Sequence, residues 1–149
     1  MSLFSFIKEA GEKILDALTP DKAEANGEAL TKHVQDALKG IDTSKIQVKV
    51  EGEKIIATGE ASSQEEKEKI LLALGNVAGI SGVDDQITVT GPVATAAKFV
   101  TVEKGDTLSA ISKRVYGDPN KYQKIFEANK PLLKDPNKIY PGQSLRIPE

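Results

Sequence analysis

Apolar residues recur along this chain with two different periods, and the switches between them mark its elements. Near the N-terminus Phe4, Ile7, Ile14, Leu15 and Leu18 follow helical spacing, which gives one apolar stripe with Gly11 as its weak point. Such a stripe packs on its own protein or lies on a membrane surface. From residue 23 to residue 39, helix formers carry Ala25, Leu30, Val34 and Leu38 on one side, and Gly40 ends the run as a C-terminal cap does. The period then drops to two. Ile46, Val48 and Val50 alternate with polar residues, Glu51-Gly52-Glu53 supplies a turn, and residues 54–59 return as a second strand. Ser62-x-x-Glu65 and Ser63-x-x-Glu66 both have capping-box spacing and introduce a helix with Ile70, Leu71 and Leu74 toward the core and Gly75 as its stop. Residues 77–89 end in an alternating strand. Helix, strand, strand, helix, strand predicts a small α+β sandwich.

After a run of turn formers and small residues, Thr90-Gly-Pro-Val-Ala-Thr-Ala-Ala97, the alternation resumes. Phe99-Val-Thr-Val-Glu103 reads as a strand, Lys104-Gly105-Asp106 as a turn, and Thr107 as the cap of a helix carrying Leu108, Ile111 and Val115. Asp118-Pro119 starts another helix, whose buried face is Tyr122, Ile125 and Phe126 and which Asn129-Lys130-Pro131 ends. Pro141-Gly142 suits the centre of a type II turn, and Leu145-Arg146-Ile147 returns beside the first strand. The fold class is therefore α+β in two small domains. An apolar segment, residues 1–22, is expected to pack on a first domain of residues 23–90; residues 91–98 link it to a second domain of residues 99–149.

Charge follows the same division. Residues 1–98 hold 11 Lys against 16 Asp and Glu, a net of −5, and residues 99–149 hold 9 Lys and Arg against 6 acids, a net of +3. Neither half suits nucleic acid, because the first repels phosphate and the second has no Lys/Arg run. Lys8, Glu9, Glu12 and Lys13 interrupt the N-terminal apolar run, so the chain is expected to be cytoplasmic, monomeric and not inserted in a membrane.

Catalytic chemistry is poorly provided for. The chain has no cysteine and one histidine, His33, on a polar face of the first helix, which leaves no thiol nucleophile and no His/Cys metal site. Asp84-Asp85 is expected in a turn and strand entry, where neighbours point apart rather than acting as an acid/base pair. No phosphate loop follows Gly75-x-x-x-Gly79. The expected class is a binding protein.

Two glycine-bearing breaks remain, Ala10-Gly11-Glu12 and Gly75-Asn-Val-Ala-Gly-Ile80. A helix end leaves carbonyls without intrahelical donors, and neutral carbonyl dipoles suit a large, weakly hydrated monovalent cation. Calcium and magnesium sites usually recruit carboxylates instead. From spacing alone, Gly75 reads first as a plain helix cap.

These residues also carry resemblances. Val77-x-x-Ile80-x-x-Val83-x-x-x-Ile87-x-Val89, after Thr58-Gly59 and a capped helix, resembles a BON domain across residues 23–89, a family associated with envelope proteins and phospholipid binding. Val102-x-x-Gly105-Asp106-Thr107-Leu108-x-x-Ile111-Ser112, Asn129, Ile139-Tyr140-Pro141-Gly142-Gln143 and Leu145-Arg146-Ile147-Pro148 are similar to a LysM domain. That resemblance implies binding of N-acetylglucosamine polymers such as peptidoglycan, in a groove of Gly105, Asp106, Thr107, Leu108 and the segment from Pro131 to Ile139. Turn and cap chemistry is the other account of Gly105, Asp106 and Thr107. The order of the two domains, with Leu3-Phe4-x-Phe6-x-Lys8-x-Ala10-Gly11-Glu12-Lys13 in front, resembles the bacterial potassium-binding family. It implies a cytoplasmic K⁺ sensor or buffer that closes on its ion, bound through backbone carbonyls placed at Ile7, Ala10, Glu12, Gly75, Val77 and Ile80. The partner of the second domain would be a glycan or a protein.

Overall fold

Strand β1 (Ser2–Ser5) lies antiparallel on the edge of a sheet completed by β2 (Ile46–Glu51), β3 (Lys54–Ala61) and β4 (Gly82–Val89), in the order β1-β4-β3-β2. The structure is a computed structural model and describes residues 2–5, 23–77, 80–91, 98–130, 132–133 and 135–148. Helix α1 (Ala23–Ala37) precedes β2, and α2 (Gln64–Gly75) is the crossover that makes β3 and β4 parallel. The β2–β3 hairpin turns at Gly52, whose φ of 60° is in the left-handed region, with Glu51 paired to Lys54. Burial alternates along β2 as the period-two pattern predicts, with Ile46 and Val50 inward.

Ser63 caps α2, its hydroxyl accepting the Glu66 N–H at 3.1 Å. Every residue of this helix from Glu68 to Gly75 is buried, including the charged Glu68 and Lys69. A helix buried all round needs cover on both sides. One side is the sheet and α1; the other is the second domain.

Several expectations change here. Leu3 and Phe4 stand in a strand opposite Asp84 and Val83, not in the first turn of a helix. Pairing supplies partners for the backbone edge of β4, a larger gain than a short isolated helical turn can offer. The rest of the stripe, with Ile7, Ile14, Leu15 and Leu18, lies outside the described residues. Asp84 and Asp85 sit within β4 rather than at a turn. Asp85 is buried, ion-paired to Lys67 at 2.9 Å, and accepts the Ile87 N–H. Helix α2 includes Gly75, and its C-cap is Asn76.

The second domain is β5 (Lys98–Thr101), α3 (Leu108–Tyr116), a 3₁₀ turn at Pro119–Lys121, α4 (Tyr122–Ala128) and β6 (Ser144–Ile147), with β5 and β6 antiparallel. Thr107 caps α3 and Gly117, at φ 76°, ends it. Val102, Leu108, Ile111, Ile125, Phe126, Leu133, Leu145 and Ile147 make its core. Val115 and Tyr122, expected on buried faces, are instead 38% and 37% exposed.

The Tyr116 hydroxyl donates to the carbonyl of Pro148, tying α3 to the chain just after β6. Burial pushes this phenol above its ordinary value. The folded state thus favours neutral Tyr116, and the contribution is whole below about pH 10 and fades as pH rises through the raised value. In an absorbance titration of tyrosinate, Tyr116→Phe should remove a phase that lies above the ordinary tyrosine range.

Candidate functional site

Gly75, Val77 and Ile80, three of the expected carbonyl ligands, lie together where α2 hands over to β4. As the last residue of α2, Gly75 has a carbonyl beyond the reach of intrahelical donors. Val77 and Ile80 have fully buried side chains, and the Ile80 N–H donates to the Val77 carbonyl at 3.2 Å, one of its two lone-pair positions. The Ser81 N–H donates to the carbonyl of Glu53, which pins the loop to the β2–β3 turn. Ile7, Ala10 and Glu12 lie outside the described residues. Among the described residues, no three His, Asp or Glu side chains converge as a metal site.

The loop has a third anchor that sequence reasoning missed. In β6, paired with β5 from Ser144 opposite Thr101 to Ile147 opposite Lys98, the main-chain groups of Ser144 and Arg146 are bonded on the side away from β5. Two asparagine carboxamides take up both positions. Asn129, from the end of α4, donates Nδ2–H to the Arg146 carbonyl and accepts the Arg146 N–H through Oδ1 at 2.8 Å. Asn76, from the first domain, does the same for Ser144, with both bonds at 2.9 Å. A carboxamide thus replaces a neighbouring strand at each site.

The side chain of Arg146 crosses the same boundary. Its Nε donates to Glu68 Oε1 at 2.8 Å, and its guanidinium also reaches the Ala128 carbonyl and, at 3.9 Å, Glu65. A hydrogen bond from Lys69 holds the Glu65 carboxyl below its ordinary range, burial opposing and Arg146 assisting. Phe99 and Leu132 pack against the first domain's core. The available signals were a Glu at position 68 just before the apolar run and an Arg between Leu145 and Ile147.

On the second domain, a cleft of about 270 Å³ is lined by Thr107, Leu108, Ser109, Tyr122, Pro136 and Asn137. Thr107 and Leu108 were expected there, as were Pro136 and Asn137 from the segment between Pro131 and Ile139; Ser109 and Tyr122 were not. Leu108 is a core residue, and Ile139 packs on the same core. Gly105 has φ 85°, Asp106 accepts the Glu103 N–H and pairs with Arg114, and Thr107 accepts the Ala110 N–H, so their polar groups do turn and cap work. Pro131 lies outside the described residues. No described helix is long and apolar enough to cross a membrane.

Comparison with known proteins agrees with this division. The BON domain family matches residues 26–91 and the LysM domain family residues 100–148. The chain is 55% identical to the potassium binding protein Kbp of Escherichia coli, over 100% of this chain and 99% of the relative. An uncharacterized protein of Deinococcus radiodurans is 31% identical over 80% of this chain and 51% of its own length. The uncharacterized protein YqbP of Bacillus subtilis is 39% identical over 39% of this chain and 31% of its own.

Proposed function

Because this chain belongs to the family of the potassium binding protein Kbp, with a BON domain followed by a LysM domain, we propose that it is a K⁺-binding protein and not an enzyme. The observation that carries the reading is identity of 55% that runs through both chains end to end. The ion would be held by main-chain oxygens of Ile7, Ala10, Glu12, Gly75, Val77 and Ile80. Two features support this set. Gly75 ends α2, and Val77 and Ile80, which follow it closely in the chain, have buried side chains. Strand β1 ends with Ser5 opposite Gly82, so residues 7–12 are within chain reach of that loop. Binding the ion would draw the N-terminal segment onto the BON domain and shift the population toward a closed form, making the protein a cytoplasmic K⁺ sensor or buffer acting as a monomer.

Calorimetry of the full chain, titrated with KCl and then NaCl, tests the proposal: K⁺ should release or absorb heat and saturate, and Na⁺ should not compete at equal concentration. Gly75→Val should weaken K⁺ binding at least tenfold. Gly75 has ordinary helical backbone, so the damage would come from a branched side chain forced into a buried helix end. Glu12→Gln should change affinity little, since the ligand is a main-chain oxygen. The reverse ranking would indicate a carboxylate site, and no K⁺ heat at all would end the reading.

A second reading is favoured by the LysM cleft, where exposed Tyr122 offers a ring face beside Ser109 and Asn137. Such a surface fits an N-acetylglucosamine polymer. Co-sedimentation with purified peptidoglycan, lost in Tyr122→Ala, would support a glycan partner for this domain.

A further inference from the structure

Asn76 occupies a position with two consequences. Its main chain joins Gly75 to Val77, so its two peptide planes carry the Gly75 carbonyl on one side and lead to the Val77 carbonyl on the other. Its own N–H is held by the Leu72 carbonyl at 2.9 Å. Its side chain is committed to the other domain: Nδ2 donates to the Ser144 carbonyl and Oδ1 accepts the Ser144 N–H. A bidentate pair of this kind fixes direction as well as distance. Ser144 is nearly buried and its outward main-chain groups are both taken by this one carboxamide. The Glu68–Arg146 bond, two helical turns earlier on the same face of α2, clamps the next outward residue of β6.

We propose that Asn76 is a positioning residue through which docking of the LysM domain sets the affinity with which the Gly75 and Val77 carbonyls hold the ion; this rests on the potassium reading above. With the carboxamide docked on Ser144, the peptide planes either side of Asn76 are held before the ion arrives, and less ordering remains to be done on binding. With the LysM domain undocked, the same planes must be ordered by the ion alone. The coupling is reciprocal, so K⁺ tightens the hold on β6 by the same factor.

The test uses the full chain, its Asn76→Ala variant, an Arg146→Met/Glu68→Gln pair that loosens the same boundary without touching the loop, and Val50→Ala. That last change weakens the BON core in β2, which β3 separates from the strand that the loop enters. Titration with KCl should show affinity reduced about 5- to 100-fold in Asn76→Ala, at unchanged stoichiometry. The Arg146→Met/Glu68→Gln pair should lose affinity too, and adding Asn76→Ala to it should cost less than in the parent. Val50→Ala should keep parental affinity. Amide exchange at Ser144 should slow with KCl relative to NaCl in the parent and show no such difference in Asn76→Ala. Parental affinity in both boundary variants would overturn the proposal, as would an equal loss in Val50→Ala. Should Asn76→Ala not fold, the Arg146→Met/Glu68→Gln pair decides. Absence of K⁺ binding in the parent is a separate result that removes the potassium reading and this inference with it.

Discussion

Replacing Gly59 with alanine should cost about 3 kcal/mol or more of stability, enough to leave the BON domain largely unfolded at 37 °C. Gly59 lies in β3 opposite Ile46, at φ +121°, a region that side-chain-bearing residues rarely enter. A Cβ there would stand 1.9 Å from the Lys45 carbonyl oxygen and 2.9 Å from its carbon. Both are main-chain atoms, so relief requires β2 to move away from β3, and Ile46 and Val50 with it. Gly40 gives the internal comparison: it also has positive φ, at +94°, but nothing lies within 4 Å of an added Cβ. Gly40→Ala should therefore cost only about 1 kcal/mol, the conformational part alone. Urea unfolding of the two variants separates the terms, and equal midpoints would mean that the close approach at Gly59 carries no energy.

Arg146→Met should be the next most damaging change, by about 3 to 5 kcal/mol, because it strands a buried carboxylate. Glu68 is 2% exposed and Arg146 9%, so neither charge has water to fall back on. Adding Glu68→Gln should restore most of the loss, since a neutral carboxamide can keep the contact with Gln64 and needs no guanidinium. The pair measured as a double-mutant cycle isolates the bond across the domain boundary. If the second substitution adds to the damage of the first, the charge is not what matters at this position.

Features legible in the sequence are those made by neighbours along the chain. Ser63 and Thr107 cap the helices they were expected to cap, because a hydroxyl two or three residues before a free N–H needs no distant partner, whereas Asp118 caps the 3₁₀ turn ahead of α4 and not α4 itself. The hairpin at Gly52 and the turn at Gly142, with φ 88°, follow from the same local logic. What escaped was made by distant residues. Helical spacing assigned one face of α2 to the core, but Glu68 and Asn76 are ordered by β6, 68 or more residues away. Tyr122 carries an apolar ring at a helical position, and nothing local says that a cleft opens beside it. Leu3 and Phe4 fit helical and strand patterns alike, and the unpaired edge of β4 decided between them. Of the six carbonyl positions, the structure describes three, Gly75 at the end of α2 and Val77 and Ile80 after it, and nothing in the sequence singles out Asn76, which stands among them.

Family boundaries place one domain's end at residue 91 and the next one's start at residue 100. Gly91 itself is wedged against the main chain of Ser62, where an added Cβ would stand 2.2 Å from the carbonyl oxygen. That boundary is a line of ancestry, and it is a poor place to cut. A fragment ending there would carry into water a carboxylate chosen for its guanidinium and a carboxamide chosen for the main chain of Ser144. Fused with a different second domain, the BON half would present the same defects to a stranger. Two separate families meet in one chain, but the surface of α2 is made for one particular neighbour.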